Sequence, residues 1–344
     1  MTLDEAVALS LIPNLPRLGL LERLRAGDPS LIDDARRLAD TARAVRRRAA
    51  AASIHVIAWN DPRFPPAVLA IADPPPALWY LGTLDALDAP AVAIVGSRAA
   101  SHVALETATR LGEDLARRGI TVVSGLARGV DSAAHRGALR AGRTIGVLGS
   151  GVDRMYPPEH DGLARDIARS GLVLSEYPPG TAPLPFQFPQ RNRLISGLSR
   201  AVVVIEASEK SGSLITASCA LEQGRDVMAV PGNVLSGRNR GAHALIRDGA
   251  KIVESADDIV EELGWGCASL QPPRATHASL LPSTESTSSG EPLLRLMREG
   301  EPYDLDGLAG LSGVDGVRLL PRLLDLELAG LVHRVGGGRF MRRI

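Results

Sequence analysis

The residues best suited to chemistry lie on either side of one short apolar run. Arg191, Asn192 and Arg193 precede this run, and Lys210 follows it in a small-residue turn that opens a predicted helix. Guanidinium and ammonium groups beside the unpaired backbone N–H groups of a helix start are the components of an anion site. The pattern therefore indicates that this part of the chain binds an anion, and phosphate is a ligand that arginine can hold with two parallel hydrogen bonds.

The apolar run from Ala201 to Ala207 is rich in β-branched residues and predicts a strand buried on both faces, as at the centre of a parallel sheet. From Ala91 to about Leu263, similar short runs alternate with helix-length segments, which favours a doubly wound parallel sheet of the α/β class. The predicted strands are 92–96, 121–124, 144–149, 172–175, 201–206, 226–230 and 251–253. Ligands of such sheets bind outside the carboxyl ends of the strands, where the strand order reverses.

Glycine-containing turns follow several of these strands. They are Gly96-Ser97-Arg98, Ser124-Gly125-Leu126-Ala127-Arg128-Gly129, Gly149-Ser150-Gly151 and Pro231-Gly232-Asn233. Glycine lets backbone N–H groups approach an anion closely, so such turns at one sheet edge predict a concave phosphate-binding crevice. The dinucleotide pattern Gly-x-Gly-x-x-Gly is not met after the first strand and no P-loop pattern occurs, which argues against nicotinamide and ATP sites.

Aromatic residues accumulate near this predicted edge, although they make up only 3% of the chain. The four rings are Tyr156, Tyr177, Phe186 and Phe188. Basic groups that follow a phosphate backbone, together with rings on which bases stack, are typical of proteins that bind single-stranded nucleic acid. An alternative remains open, in which Phe186 and Phe188 anchor a proline-rich loop to the core.

Several of these motifs together resemble the DNA-processing protein A family, DprA or Smf. The motifs are Val95-Gly96-Ser97-Arg98, the stretch from Ser124 to Asp131 with His135, Phe188-Pro189 with Arg191-Asn192-Arg193, and Lys210-Ser211-Gly212-Ser213 with Thr216. The resemblance covers about residues 91–255. It implies an extended Rossmann-like core that binds single-stranded DNA, forms homodimers, protects incoming DNA and helps to load the RecA recombinase in natural transformation.

The motifs and the resemblance together assign the expected site. The expected phosphate-binding residues are Gly96, Ser97, Arg98, Gly125, Arg128, Arg191, Asn192, Arg193, Lys210, Ser211, Gly212 and Thr216, and the expected base-stacking residues are Tyr156, Phe186 and Phe188. Pro158 departs from the family pattern, because many relatives have a basic residue just after the Tyr-Pro turn. No cofactor or metal ion is expected.

A nucleotide or nucleoside-monophosphate hydrolase on the same type of sheet is the alternative function. Asp131 and His135 are four residues apart on a predicted helix, and Glu206 ends the central strand, so these groups could act as acids or bases. The second glutamate in a Gly-Gly-x-Gly-Thr turn, found in related hydrolases, is absent, and Asp131 could simply cap its helix. We therefore expect a binding protein rather than an enzyme.

The segments outside the central region predict further domains. Residues 1–50 predict a small helical domain, comparable to SAM or helix-hairpin-helix domains, and the proline-rich residues 51–90 predict a connector. Residues 266–290 are rich in Ser, Thr and Pro and predict a linker, and 291–344 predict a winged helix that reads DNA, docks a protein or is purely structural. The Rossmann-like domain is expected over 91–265.

Composition and charge place few limits on the partner. The 344 residues carry 39 basic and 39 acidic side chains, so a nucleic-acid partner would need locally clustered charge. No apolar run could span a bilayer and the N-terminus lacks a signal-peptide pattern, so a cytoplasmic protein without membrane contact is expected. For the homodimer implied by the resemblance, the amphipathic segment with Ile259, Val260 and Leu263 is a candidate surface, although these residues could instead cover the sheet edge.

Overall fold

The protein is described by a computed structural model that covers two compact units of the chain. The structure describes residues 2–12 and 15–265 of the first unit, and residues 294, 296–297, 302–312, 319, 322–323, 326–327, 331–335 and 339–342 of the second. The units divide at Arg274 and Ala275. Each unit is described by itself.

The first unit is built on a nine-stranded sheet with the order β1-β2-β6-β5-β4-β3-β7-β8-β9. Its strands are β1 (His55–Ala58), β2 (Ala77–Gly82), β3 (Ala91–Gly96), β4 (Thr121–Ser124), β5 (Thr144–Val147), β6 (Leu172–Ser175), β7 (Ala201–Ile205), β8 (Asp226–Ala229) and β9 (Lys251–Ile252). The helices of this unit are α1 (Leu3–Ser10), α2 (Leu20–Arg25), α3 (Pro29–Arg37), α4 (Ala39–Ala51), α5 (Pro66–Leu69), α6 (His102–Arg117), α7 (Val130–Ala138), α8 (Asp161–Ser170), α9 (Gln187–Gly197), α10 (Ser213–Glu222), α11 (Arg240–Arg247) and α12 (Ala256–Glu262).

The central strands are parallel and covered by helices on both faces. β3 pairs in parallel with β4 on one side and with β7 on the other, which opposes Val92 to Val122 and to Ala201. Alternate residues of each strand enter different apolar clusters: Val202 and Val204 pack with α9 and α10, whereas Val203 packs with α6 and α7. The seven predicted strands are thus present as a doubly wound sheet, and its order reverses between β3 and β7.

One edge of the sheet is antiparallel, which the sequence analysis did not anticipate. The predicted connector supplies β1 and β2; β2 pairs antiparallel with β6 and aligns Trp79 with Ser175. The prolines of this segment lie between the strands, where a missing backbone N–H breaks no ladder. The seven predicted strands pair in parallel with one another, and the two strands of the predicted connector make the whole sheet mostly parallel.

The N-terminal helices pack against this antiparallel edge. α1 begins with a capping box, in which the side chains of Thr2 and Glu5 each accept the backbone N–H of the other residue. α3 begins at Pro29, and the carboxylate of Asp28 caps it. Their buried residues Leu9 and Leu20 share one apolar cluster with Trp79 of β2. The helical character predicted for residues 1–50 is present, whereas the resemblance to SAM or helix-hairpin-helix domains and the domain boundaries stay predictions.

The segment proposed for dimer contacts belongs largely to the core. Ile259 of α12 is 0% exposed, and Val260 and Leu263 pack partly buried against the same apolar cluster, which α6 also enters. An amphipathic pattern alone does not distinguish a helix that covers its own sheet from one that meets a partner. The burial of Ile259 argues against its place on a dimer surface, whereas dimer contacts of Val260 and Leu263 stay a prediction.

The second unit contains a three-stranded sheet with the order β10-β12-β11, formed by β10 (Pro302–Tyr303), β11 (Val332–Val335) and β12 (Arg339–Arg342), and the helix α13 (Leu305–Ser312). Its apolar cluster includes Leu308, Leu323 and Phe340. The predicted linker at 266–290 lies outside the described residues, and the winged helix stays a prediction. None of the helices that the structure describes is long and apolar enough to cross a bilayer.

Candidate functional site

An open crevice of about 370 Å³ lies at the carboxyl ends of β3 and β7, where the strand order reverses. Its lining comes from the turn after β3, the start of α7, helix α9 and the turn that opens α10. It includes Gly96, Ser97, Arg98, Asp131, Phe188, Pro189, Arg191, Asn192, Ser211, Gly212, Ser213 and Thr216. The topology brings these segments together although they are distant in sequence. The crevice is thus at the edge where the sequence predicted it.

The turn after β3 is held against the end of β7 by the backbone. A Cβ atom at Gly96 would lie 1.9 Å from the carbonyl oxygen of Ile205, so only glycine fits there. The Ser97 N–H donates to the carbonyl oxygen of Glu206 at 2.8 Å, and Glu206 has a positive φ of 49°. These contacts fix the backbone from which Arg98 projects.

Arg98 carries an exposed guanidinium at the mouth of the crevice. Its Cζ atom lies 5.7 Å from the centre of the Phe188 ring, and the Phe188 and Tyr156 rings are 5.4 Å apart at an angle of 45°. Among the residues that the structure describes, no carboxylate forms an ion pair with Arg98. One cation and two partly exposed rings therefore form a single cluster, in which the positive charge is free to meet an anion.

Arg191 has a different role from the one predicted. The residue is 3% exposed, and its Nη1 donates to the carbonyl oxygen of Gly125 at 2.7 Å and to that of Val147. A Cβ atom at Gly125 would lie 2.6 Å from this guanidinium, so the glycine provides the space for it. Burial lowers the Arg191 pKa to about 10. The prediction that Arg191 contacts phosphate is corrected: its guanidinium ties the ends of β4 and β5 together beneath the crevice.

Asp131 stabilises the turn that leads to α7. Its Oδ2 accepts the backbone N–H groups of Gly125 at 3.1 Å and Ala127 at 3.3 Å, rather than capping the first turn of its own helix. Burial raises the pKa of this carboxyl group, and the positive charge of Arg191 opposes the rise. The carboxylate therefore supports the floor of the crevice.

Arg193 lies on the opposite side of α9, away from the crevice. Its Nη2 pairs with Glu176 at 2.5 Å and its Nε with Asp73 at 2.9 Å, and Arg17 also pairs with Glu176. We call these four residues the ion cluster. The cluster lies at a larger cavity of about 1120 Å³ that Arg17, Asp73 and Arg193 line. The prediction that Arg193 contacts phosphate is wrong, because its charge is already neutralised by two carboxylates.

The turn before α10 contributes mainly backbone and small polar groups to the crevice. The Asn192 Nδ2 donates to the carbonyl oxygen of Gly212 at 3.3 Å, and the Ser211 and Ser213 hydroxyls are 2.7 Å apart. Thr216 lines the crevice from the first turn of α10 and is buried. Oriented N–H groups at the start of a ten-residue helix favour an anion at this end of the crevice.

Besides Arg193, five predicted residues lie outside the crevice lining: Gly125, Arg128, Tyr156, Phe186 and Lys210. Arg128 is exposed and paired with Glu159, and the exposed Phe186 lines the larger cavity. Lys210 lies in a shallow neighbouring depression together with Arg238 and Arg240. The sequence pattern marks the turn at 231–233 but not these two arginines. They follow the turn by several residues and come near Lys210 only through folding.

The groups considered for catalysis are engaged in structural contacts. The His135 ring is fully buried, with Nδ1 at 2.7 Å from the Thr144 hydroxyl, and burial lowers its pKa to about 3. The Glu206 carboxylate accepts the Ser101 N–H at 2.9 Å. In the described ranges, no group of three or more His, Cys, Asp or Glu side chains could hold a metal ion.

Comparison with known proteins agrees with this architecture. A family model described as DNA recombination-mediator protein A matches residues 55–264. Protein Smf of Escherichia coli is 40% identical over 286 residues, which span 83% of this chain and 76% of that protein.

Two solved structures are also similar. The structure of DprA from Streptococcus pneumoniae has a TM-score of 0.68 and 36% identity, covering 76% of this chain and 98% of that chain. A structure of DNA processing protein A from Helicobacter pylori, whose published description concerns its single-stranded DNA binding mode, has a TM-score of 0.57 and 30% identity over 62% of this chain and 96% of that chain. On these matches, and with the crevice in the matched region, this chain belongs to the DNA recombination-mediator protein A family, DprA/Smf.

Proposed function

We propose that this protein binds single-stranded DNA in the crevice between the ends of β3 and β7. The observation that carries the proposal is the exposed guanidinium of Arg98, which has no ion pair among the described residues and lies beside the rings of Phe188 and Tyr156. The similar H. pylori protein is described as binding single-stranded DNA, which supports the same ligand class here.

The geometry suggests how the strand is held. A backbone phosphate pairs with Arg98 and approaches the N–H groups of the turn at 211–213, while an adjacent base stacks on Phe188 or Tyr156. Stacking of a base on an aromatic ring contributes about 1–3 kcal/mol and needs an unstacked base. Duplex DNA keeps its bases stacked, so the crevice prefers single strands.

The broader role of the protein follows from its family. We propose that it acts in the cytoplasm in DNA processing during natural transformation and homologous recombination, where it protects incoming single strands and helps to load RecA recombinase. A homodimer would lengthen the DNA track by adding a second crevice. Family membership supports these finer assignments.

Binding is favoured over nucleotide hydrolysis. A general acid or base must reach the substrate, whereas His135 is fully buried and the carboxylates of Asp131 and Glu206 accept backbone N–H groups. We therefore propose a binding protein that is not an enzyme. Turnover of a nucleotide that is lost in Asp131→Ala while the fold persists would reverse this choice.

The test is fluorescence anisotropy of labelled single-stranded and duplex oligonucleotides with wild type and Arg98→Ala over a salt series. We expect wild type to prefer the single strand, with log affinity falling linearly with log salt. Loss of one phosphate contact in Arg98→Ala should raise Kd about tenfold and reduce the salt slope by about 0.7.

Arg110→Ala is the matched control, because Arg110 is an exposed arginine on α6 with only a weak partner, Glu106 at 3.9 Å. Its binding should equal that of wild type. If Arg98→Ala also binds as wild type does, the crevice is not the DNA site.

A further inference from the structure

A second cluster of basic side chains lies beside the crevice. Lys210, Arg238 and Arg240 line an open depression of about 440 Å³, together with Ser208, Glu209, Ser236 and Gly237. We call this depression the basic patch. The turn after β7 supplies one wall, and the loop between β8 and α11 supplies the other.

The charges of the basic patch are only loosely neutralised. Arg240 lies 4.0 Å from Glu209, and both side chains are about two-thirds exposed. Arg238 lies 3.7 Å from Glu206, whose carboxylate already accepts the Ser101 N–H. Lys210 has no ion pair within the described part of the chain. The Arg240–Glu209 pair is exposed and contributes little, so a phosphate group can replace it at small cost.

The basic patch is continuous with the crevice. Arg238 donates from Nη1 to the carbonyl oxygen of Ala99 at 2.8 Å, which places it beside the residue that follows Arg98. On the other wall, Ser208 lines both the crevice and the basic patch. A strand that leaves Arg98 on this side therefore meets the basic patch next.

The loop that supplies one wall of the basic patch also carries two exposed apolar side chains. Val234 and Leu235 are 74% and 92% exposed. The loop is nevertheless ordered by its own contacts, because the Leu235 N–H donates to the Asn233 side chain at 2.8 Å and the Ser236 hydroxyl to the Asn233 carbonyl oxygen at 2.9 Å. Exposed apolar side chains can contact unstacked bases, and the basic side chains near them can bind the phosphates of the same strand.

We infer that the basic patch is a second binding site for the same single strand: Lys210, Arg238 and Arg240 bind phosphates next to those held in the crevice, and Leu235 contacts a base. This inference rests on the proposed function, since it extends the track of the crevice. It distinguishes short ligands, which the crevice alone holds, from longer ones that reach both sites.

The test compares oligothymidylates of about 4 and about 15 nucleotides by fluorescence anisotropy, with wild type and the double variant Arg238→Gln/Arg240→Gln. For the longer ligand, the double variant should raise Kd about tenfold or more and reduce the salt slope by about 1.4, as two lost phosphate contacts require. For the shorter ligand its Kd should match that of wild type. Glu209→Gln should strengthen binding of the longer ligand, because it removes a competing carboxylate.

Controls separate this inference from the crevice and from general charge effects. Arg247→Gln removes an exposed arginine at the far end of α11 and should bind both ligands as wild type does. Leu235→Ser should weaken binding of the longer oligonucleotide but not of an abasic strand of equal length. If wild type binds neither ligand, the proposed function fails. If it binds both and the double variant binds the longer one equally well, the crevice stands and the basic patch is overturned.

Discussion

The arginines on the two sides of helix α9 differ in whether a carboxylate neutralises them. On one side, Arg98 faces the Phe188 ring and the crevice with no carboxylate partner among the described residues. On the other side, Arg193 and Arg17 meet the carboxylates of Glu176 and Asp73 at the edge of a cavity three times larger. The smaller space is the better anion site, because charge that is already paired attracts no further anion.

The difference follows from helix geometry. Successive residues of an α-helix are separated by about 100°, so two residues that are two positions apart lie on nearly opposite sides. Arg191 and Arg193 are such a pair: one lies beneath the crevice and the other in the ion cluster. The two arginines therefore have separate structural roles. Asn192, which lies between them, is the one of the three whose side chain donates to the turn at Gly212.

Arg193→Ala should have the largest effect on stability of the variants considered. It removes the central cation of the ion cluster and leaves Asp73 and the fully buried side chain of Glu176 with less compensation. We expect a loss of about 3–5 kcal/mol in the free energy of unfolding, measured by urea denaturation. Single-strand affinity of the protein that remains folded should be unchanged.

The control for that variant is Arg169→Ala, which removes an exposed pair with Asp166 on α8. Its free energy of unfolding should change by less than about 1 kcal/mol. A stable Arg193→Ala protein with weakened DNA binding would show instead that Arg193 belongs to the DNA site.

The buried His135 should make the stability of the fold depend on pH. The pKa of His135 is lowered from 6.5 to about 3 by burial, so the folded protein holds the neutral ring and protonation favours unfolding. The stability is complete above the unfolded pKa and is lost as the pH falls from 6.5 towards 3. Between pH 7 and pH 4 this group alone should remove roughly 3 kcal/mol from the free energy of unfolding.

Urea denaturation at several pH values tests this expectation, with His135→Gln as the comparison. The variant should be less stable at pH 7, because it disturbs the contact with Thr144, but should lose less stability on acidification. Equal pH dependence in both proteins would assign the acid sensitivity to other groups.

Substitutions at two glycines, Gly125 beneath the crevice and Gly212 in its lining, should have smaller effects on stability. In Gly125→Ala, the new Cβ would lie 2.6 Å from the Arg191 guanidinium and would displace it from its two carbonyl partners. We expect a loss of about 1–3 kcal/mol in the free energy of unfolding. In Gly212→Ala, nothing lies within 4 Å of the new atom, so the change should stay within about 0.5 kcal/mol. Thermal or urea unfolding that ranks the two variants the other way would contradict the buried role of Arg191.

Much of the fold could be predicted because its signals are local. A run such as 201–205 is apolar at every position, which only a strand covered on both faces requires. The turn at Gly96 could also be anticipated, since glycine after a strand often marks a close backbone approach. The antiparallel strands β1 and β2 could not be recognised in the sequence, because the prolines near them dominate the pattern although these prolines lie outside the strands.

The sequence locates the candidate site but does not show which role each of its arginines has. Sequence shows that Arg98, Arg191 and Arg193 are arginines near predicted strand ends, but not which one has a carboxylate partner. Those partners, Glu176 and Asp73, come from distant segments, and the carbonyl oxygens that bind Arg191 belong to β5 and the turn after β4. Only the folded chain brings them together.

The three tryptophans of the chain are natural reporters of how its layers unfold. Trp79 is buried in the cluster of the N-terminal helices, Trp59 packs against the cluster of α9 and α10, and Trp265 packs against the cluster of α6 and α7. Variants that keep one indole and replace the other two with phenylalanine would give each layer its own emission signal. Coincident transitions would mean that residues 1–50 melt as one cooperative unit with the sheet, whereas an early red shift from Trp79 would mark them as a separable domain.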